Sequence, residues 1–307
     1  MLPALRPGTD SMPKLRAVVI AFTACALLPL ATLAAPPMRS EAQRAYDAGE
    51  YASCAALYAQ VADAEGGTRA DGYNAACCLA LAGNADAAFE RLRTTITTHF
   101  TSVADLQQDE DFRSLRDDPR WEPMLALARQ EEDRHLAGTD RTLRRELFER
   151  LNRDQEIRDR LIAAPEDKAL IAEAERIDTD NTTWLKQVVA SRGWPGYKLV
   201  HEDGAQAAWL LAQHADRDPA FQQQVLELLE KAVLDKDAKP SHLAYLTDRV
   251  RTGRDEKQLY GTQFIKAGDD WVPAPIEDEA HVDERRQRIG LGTLAEYAEQ
   301  IRAAYSR

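Results

Sequence analysis

Two glycines 34 residues apart constrain this chain more than any other feature. Gly49 and Gly83 each follow a run of helix-forming residues, and their surroundings echo at the same interval, Cys54 with Ala88 and Tyr58 with Leu92. The first unit carries Tyr46, Gly49, Tyr51, Cys54, Tyr58 and Val61; the second carries Tyr73, Ala76, Gly83, Ala88, Leu92 and Thr95. Glycine at a turn, with a small residue five positions later, reads as a repeated helical hairpin. Small residues let the two antiparallel helices approach closely, and the aromatic positions fill the space between neighbouring hairpins.

Over residues 38–135 this pattern resembles the tetratricopeptide-repeat family, with Cys54 standing where alanine is usual. The stretch from Phe100 to Trp121 is similar to the segment that closes short arrays of this kind. Asp118-Pro119 is read as an N-cap and first-turn pair for a helix ending near His135. The resemblance implies a module that takes a protein or peptide partner. Read from the residues alone, the array serves equally as a packing platform for the C-terminal domain.

The first 35 residues stand apart. Arg6, Lys14 and Arg16 precede 19 uncharged residues, Ala17 to Ala35, which end in small side chains before Pro36-Pro37. That is the layout of a cleavable signal peptide, cut near Ala34 or Ala35. An uncleaved anchor is the rival reading, opposed by Pro29 and the small-residue exit. The expected location is periplasmic or secreted, with no stable membrane span once the leader is removed. Removal takes three basic residues and one acid (Asp10), leaving 36 basic side chains against 50 acidic ones, a net of −14. A surface so acidic repels phosphate backbones and anionic lipid, so nucleic acid is excluded as a partner. Cys54, Cys77 and Cys78 remain. Export permits a Cys54 bridge to Cys77 or Cys78, but the odd count and apolar flanks favour three buried thiols.

Beyond a hinge at residues 136–142, apolar residues recur at helical spacing. Leu143, Leu147, Leu151, Ile157 and Leu161 mark one helix, and a second runs from Pro165 to about Ile177. Asp180-Asn181 is read as the cap of a third, Thr182 to Ser191. Gly193-Trp194-Pro195-Gly196 makes a rigid turn, followed by helices at about 204–215, 219–234, 241–252 and 293–304. Trp271-Val272 is too short to count as a strand. The fold class is therefore all-α: a short repeat array, then a helical domain over residues 142–307.

Several polar groups punctuate this second module: Asp154-Gln155 with Arg158, Asp180-Asn181, Gly193-Trp194-Pro195, Ala207-Ala208-Trp209-Leu210, Gln213-His214-Ala215-Asp216 and Tyr260-Gly261-Thr262-Gln263. Together they resemble an uncharacterised bacterial domain family, a domain of unknown function. The resemblance implies a fold unit and a site, without a reaction. It also implies a glycine where His201-Glu202 follows Val200.

At the end of its helix His214 is favoured as imidazolium by the macrodipole and is expected to titrate near neutrality. One reading makes it a general base oriented by Asp248, with Asn181 or Gln263 polarising a carbonyl. The other makes His214 and Gln213 partners of buried backbone groups. Trp194, Arg249, Tyr260 and Thr262 complete the candidate binding set. Arg158 and Arg249 are read as internal ion pairs ahead of ligand forks. The histidines show no His-x-x-x-His pair and the cysteines no Cys-x-x-Cys pair, so neither a metal nor a cofactor is expected. The function expected is an exported binding or scaffold protein; the alternative is a hydrolase-like enzyme using His214.

Overall fold

The computed structural model describes residues 36–305 apart from positions 100 and 269; the leader lies outside the described residues. Helices α1 (Pro36–Asp47), α2 (Tyr51–Asp63), α3 (Arg69–Leu81) and α4 (Ala85–Thr98) form two antiparallel hairpins. They are closed by α5 (Val103–Gln108), a 3-10 turn at Glu110–Leu115 and α6 (Trp121–His135).

The 34-residue echo is visible in individual hydrogen bonds. Gly49 (φ 73°) donates to Tyr46 O at 2.9 Å, and Glu50 N to Ala45 O at 2.8 Å. Gly83 (φ 76°) donates to Ala80 O at 3.0 Å, and Asn84 N to Leu79 O at 2.9 Å. Each pair ends a helix by reaching back over its last carbonyls through a left-handed residue, which is why glycine stands at both positions. The echoed pairs Cys54 and Ala88, and Tyr58 and Leu92, are buried.

Two expectations for this module are corrected. Cys54 and Cys78 form a disulfide, and Cys77 alone remains a buried thiol. Neighbouring residues on a helix point about 100° apart. Cys78 therefore packs toward α2, while the Cys77 sulfur turns to Asp109 at 3.7 Å. Helix α6 begins at Trp121, after Arg120, with no side-chain cap. The Asp118 carboxylate instead accepts from Arg120 N at 2.9 Å and from its guanidinium, so it is taken up one turn too early to serve as the cap.

The second module packs α7 (Arg141–Ala163), α8 (Lys168–Arg192), α10 (Pro219–Leu234) and α11 (Pro240–Thr252) around α9 (Tyr197–Gln213). Every residue from Ala207 to Gln213 is buried. A helix covered all round tolerates alanine on several faces, because neighbouring helices can then approach closely. Asp140, Asp167 and Asp218 cap α7, α8 and α10, the last with Pro219 in the first turn as the sequence suggests.

The cap read at Asp180-Asn181 is not one: α8 runs unbroken through it. Both side chains are drawn sideways to Arg150 on α7, at 2.7 and 3.2 Å. Trp271-Val272 also departs from expectation. It belongs to β2 (Asp270–Pro273), antiparallel to β1 (Phe264–Ala267) in the register Ile265 opposite Val272. After this hairpin come a single 3-10 turn at Glu279–His281, α12 (Val282–Arg288) and α13 (Leu294–Tyr305). Among the described residues that ribbon is the one sheet, and the fold is essentially all-α.

Helix α9 is bent near its start. Val200 and His201 leave helical geometry, with His201 at φ 63° and ψ 170°. Only glycine adopts that conformation freely. A histidine thus holds a glycine-like backbone conformation at the place where the resemblance implies a glycine. Asp203 is the local anchor: it pairs with Arg144 on α7, and its Oδ1 lies 3.1 Å from His201 Nδ1. The modules meet beside it, where the His201 and His135 rings lie edge to face at 6.3 Å and Asp140 N donates to Leu199 O at 2.7 Å.

Candidate functional site

The polar residues of the second module gather into two linked groups. The first sits where α7, α8 and the end of α9 converge. Asp154 and Arg158 are one turn apart on α7 and therefore point the same way. His214, the residue capping α9, places Nδ1 at 3.0 and 2.9 Å from the two oxygens of Asp154. Arg158 Nη2 bridges Asp154 Oδ1 (3.0 Å) and Asp178 Oδ1 (2.6 Å), and its Nε lies 3.0 Å from His214 Nδ1. Asp154 is fully buried and the His214 side chain is 2% exposed. Asp178 and Arg158 lie toward the rim.

The carboxylate that orients His214 is thus Asp154, not Asp248. Donating to Asp154, Nδ1 carries the ring proton and Nε2 presents a lone pair; accepting from Arg158 Nε, Nδ1 is the bare nitrogen and Nε2 carries the proton. That Nε2 atom is buried and has no hydrogen-bond partner.

These surroundings set the charge states. Burial lowers the His214 pKa, and the nearby Arg158 guanidinium adds to the effect against the pull of Asp154. The helix-end macrodipole does not prevail, so the expectation of titration near neutrality is corrected: the ring is held neutral. Burial works to raise Asp154, but the hydrogen bond to His214 and the Arg158 guanidinium outweigh it and hold the carboxyl well below the usual carboxylate range. Asp178 shows the reverse balance. Burial, reinforced by the negative charges of Asp154 and Asp216, pushes its carboxyl up to about 7 against the pull of Arg158.

The second group runs from α9 to the loop before β1. Arg249 on α11 grips Asp216 with two hydrogen bonds of 2.8 and 2.5 Å, and its Nη1 reaches Gln263 Oε1 at 3.3 Å. Half of the Asp216 side chain is open to solvent, while its oxygens face Arg249 and Gln222. Asp248 is buried and accepts from the backbone N–H groups of Leu259, Tyr260 and Thr262, and from the Thr262 hydroxyl. Gln258 staples the same loop, donating to Gln263 O and Ala274 O and accepting from Gln263 N. Gly261 holds φ 67° there, and a Cβ on it would meet Leu294 Cδ1 at 2.6 Å. The Tyr-Gly-Thr-Gln loop is folded inward around Asp248 instead of being displayed.

The remaining candidates separate by place. With its amide oriented oxygen-first, Gln213 accepts from Trp209 Nε1 (3.0 Å) and Leu246 N (2.9 Å), tying α9 to α11. Trp209 also stacks on His242 at 4.3 Å. Asn181 accepts from Arg150, and its buried Nδ2 has no partner. Trp194 is half-buried against the module core, with an unpartnered indole N–H. Tyr260 is half-buried, and its carbonyl accepts from Arg286. The structure brings Arg249, Thr262, Gln263 and Asp248 into one chain of hydrogen bonds, and sets His214 in the other.

Sequence reasoning did not single out Asp178. It sits on a helix thought to end at Ile177, one residue before the site, and nothing in the linear order links it to Asp154 or His214. The only signal was periodic: Asp178 and Asn181 are one turn apart on α8, as Asp154 and Arg158 are on α7. An open groove of about 480 Å³ lies farther along the α7–α8 seam, lined by Glu146, Glu149, Arg150, Arg153 and Trp184. Arg150 on its wall donates to Asp180 and Asn181 of α8.

No curated protein and no solved structure matches this chain. The module whose motif residues interlock in this way does match a family model, and the match spans more than half of the sequence. It covers residues 141–307, and the chain belongs to that family, DUF6624, a family of unknown function.

Proposed function

We propose that this chain is exported and works as a binding or scaffold protein, its N-terminal array taking a protein or peptide partner while the C-terminal domain carries a polar centre. The observation that carries this reading is the duplicated hairpin, whose two turns repeat the same back-reaching hydrogen bonds at a 34-residue offset. That geometry supports a tetratricopeptide-like array, and stacked hairpins of this type offer extended surfaces for recognition. The Cys54–Cys78 disulfide supports an oxidising compartment. No helix among the described residues is long and apolar enough to cross a membrane. A periplasmic or secreted location after cleavage near Ala34 or Ala35 is the reading that fits the leader.

The test is site-specific photo-crosslinking in cells that express the full chain with its own leader. Probes on exposed positions of α1–α4 are expected to give a discrete adduct that probes on α10 do not. Adducts from every position alike, or none from the array, would sink the reading. The N-terminus of the exported chain, read by mass spectrometry, tests the cleavage separately.

A second reading, a hydrolase-like enzyme, is favoured by one observation: Asp154 lies 2.9 Å from Nδ1 of His214, the carboxylate–imidazole pairing of a general base, and Nε2 has no hydrogen-bond partner. If it holds, hydrolysis of a panel of chromogenic ester and amide substrates is lost in His214→Gln at unchanged fold. Equal turnover by the two proteins removes it.

A further inference from the structure

We propose that Asp154, Asp178 and His214 form a binding site for a divalent transition-metal ion, held between α7, α8 and the end of α9. The inference is independent of what the repeat array binds. Three helices contribute one residue each, and one ligand atom from each lies within 4.8 Å of the other two. An imidazole nitrogen with two carboxylate oxygens suits zinc, manganese or iron(II) better than magnesium or calcium, which favour oxygen alone. Linear spacing could not reveal such a set, because the ligands are more than twenty residues apart along the chain.

Two separate observations point to a cation. The first is the charge count in the two linked groups: with all three ionised, the carboxylates of Asp154, Asp178 and Asp216 outnumber the guanidiniums of Arg158 and Arg249 that they face by one, and without an ion Asp178 holds a proton up to about pH 7 instead. The second is the placement of His214: its Nδ1 faces both oxygens of Asp154, at 3.0 and 2.9 Å, on a side chain only 2% exposed, so an imidazole ligand atom is already turned toward the carboxylates.

Arg158 decides how the site works. Its Nη2 bridges the two carboxylates, so without metal the guanidinium supplies the positive charge between them. An ion entering the cluster competes with it. Arg158 lies at the rim, with 12% of its side chain exposed, and so has a route outward to solvent. Arg158 is therefore a gatekeeper for the ion, not a ligand.

That competition gives the test an outcome that a purely structural ion pair would not produce. The full chain, stripped with chelator, is titrated calorimetrically with Zn2+ and Mn2+, with Mg2+ as control, and its Co2+ form is read by visible absorption. The expected result is one ion per chain, no comparable Mg2+ binding and a Co2+ spectrum in the wild type. Asp178→Asn and His214→Gln should each weaken binding by at least about tenfold, whereas Arg158→Gln should tighten it. Circular dichroism checks that each variant is folded, and the wild-type Co2+ spectrum stands even if one is not. Wild-type protein that binds neither Zn2+ nor Mn2+ overturns the proposal. So does binding that survives both ligand substitutions, which would place the ion on surface acids, and so does weaker binding in Arg158→Gln.

Discussion

At the scale of single residues, the cluster between α7, α8 and α9 contains two groups whose titrations oppose each other. The folded chain holds the Asp178 carboxyl up to about 7, while the unfolded chain holds it near the ordinary 3.8. Between those values the folded state carries a proton that the unfolded state lacks, so this group's contribution to stability falls as pH rises. His214 is held below its usual 6.5. Below that pH the unfolded chain takes up a proton that the folded chain refuses, so this contribution falls as pH drops. Below pH 6.5 the two work in opposite directions. Removing either one exposes the other, at about 1.4 kcal/mol per pH unit for one proton. In metal-free urea melts, His214→Gln is expected to gain stability at pH 5 relative to pH 7, measured against wild type. Asp178→Asn is expected to lose about 2 kcal/mol over the same interval, and curves parallel to wild type for both would refute the opposition. His201 offers a second residue-scale test, because it holds a glycine-like backbone at φ 63°. Such strain costs on the order of 1–3 kcal/mol. His201→Gly should therefore exceed His201→Ala in stability by about 1–2 kcal/mol, since both lose the ring but only alanine keeps the strain. Equal midpoints in urea would show that the bend is unstrained.

At the scale of elements, the loop between α11 and β1 is organised by one buried carboxylate. Burial raises the Asp248 pKa, opposed by the backbone N–H groups of Thr262, Leu259 and Tyr260 and by the Thr262 hydroxyl. Asp248→Ala would strand those donors, at about 1–3 kcal/mol for each one left buried. A loss of about 3 kcal/mol is expected, with new protease cleavage between residues 258 and 263. Asp248→Asn, which keeps one acceptor oxygen, should fall between the two; an alanine variant as stable as wild type would mean that water replaces the carboxylate without cost. This loop also shows where sequence reading stops. Helices α7, α10 and α11 were legible from apolar spacing, and the 34-residue echo from its glycines, because those signals are local. Asp248 was legible as an important residue but not in its role, because its partners lie 11 to 14 positions away on a loop with no periodicity. Asp180-Asn181 misled for a related reason. These residue types cap helices when their side chains turn back on their own backbone, and here Arg150 on α7 draws both away. The β1–β2 ribbon escaped notice because its strands are four residues each, too short for alternation to register.

At the scale of the molecule, the question is whether the two modules unfold as one. The Cys54–Cys78 bridge answers it, because it lies wholly within the array and closes a loop with a sequence separation of 24. Closing a loop of that length in the unfolded chain is worth about 3 kcal/mol to the folded state. Cysteine count argued against the bridge, since three is odd, but parity says nothing about which face of α3 each thiol occupies. Cys77 faces the acidic 3-10 segment, where burial and Asp109 push its thiol up and keep it protonated, so it is a poor nucleophile for exchange with the bridge. The bridge should stay as Cys54–Cys78 until a reductant is added. Replacing Cys54 and Cys78 together by alanine is then expected to cost the array about 3 kcal/mol. Hydrogen exchange followed along the full chain locates that cost. The modules meet at a short linker, where the His135 and His201 rings touch and Asp140 bonds Leu199 and Arg192. The buried core around α9 is separate from the core of the array, so the joint should open independently of it. Amides of α2 and α3 should lose protection in the alanine variant while those of α9 and α11 keep theirs. Equal losses in both modules would mean that the junction transmits folding, and that the array and the DUF6624 domain form one cooperative unit.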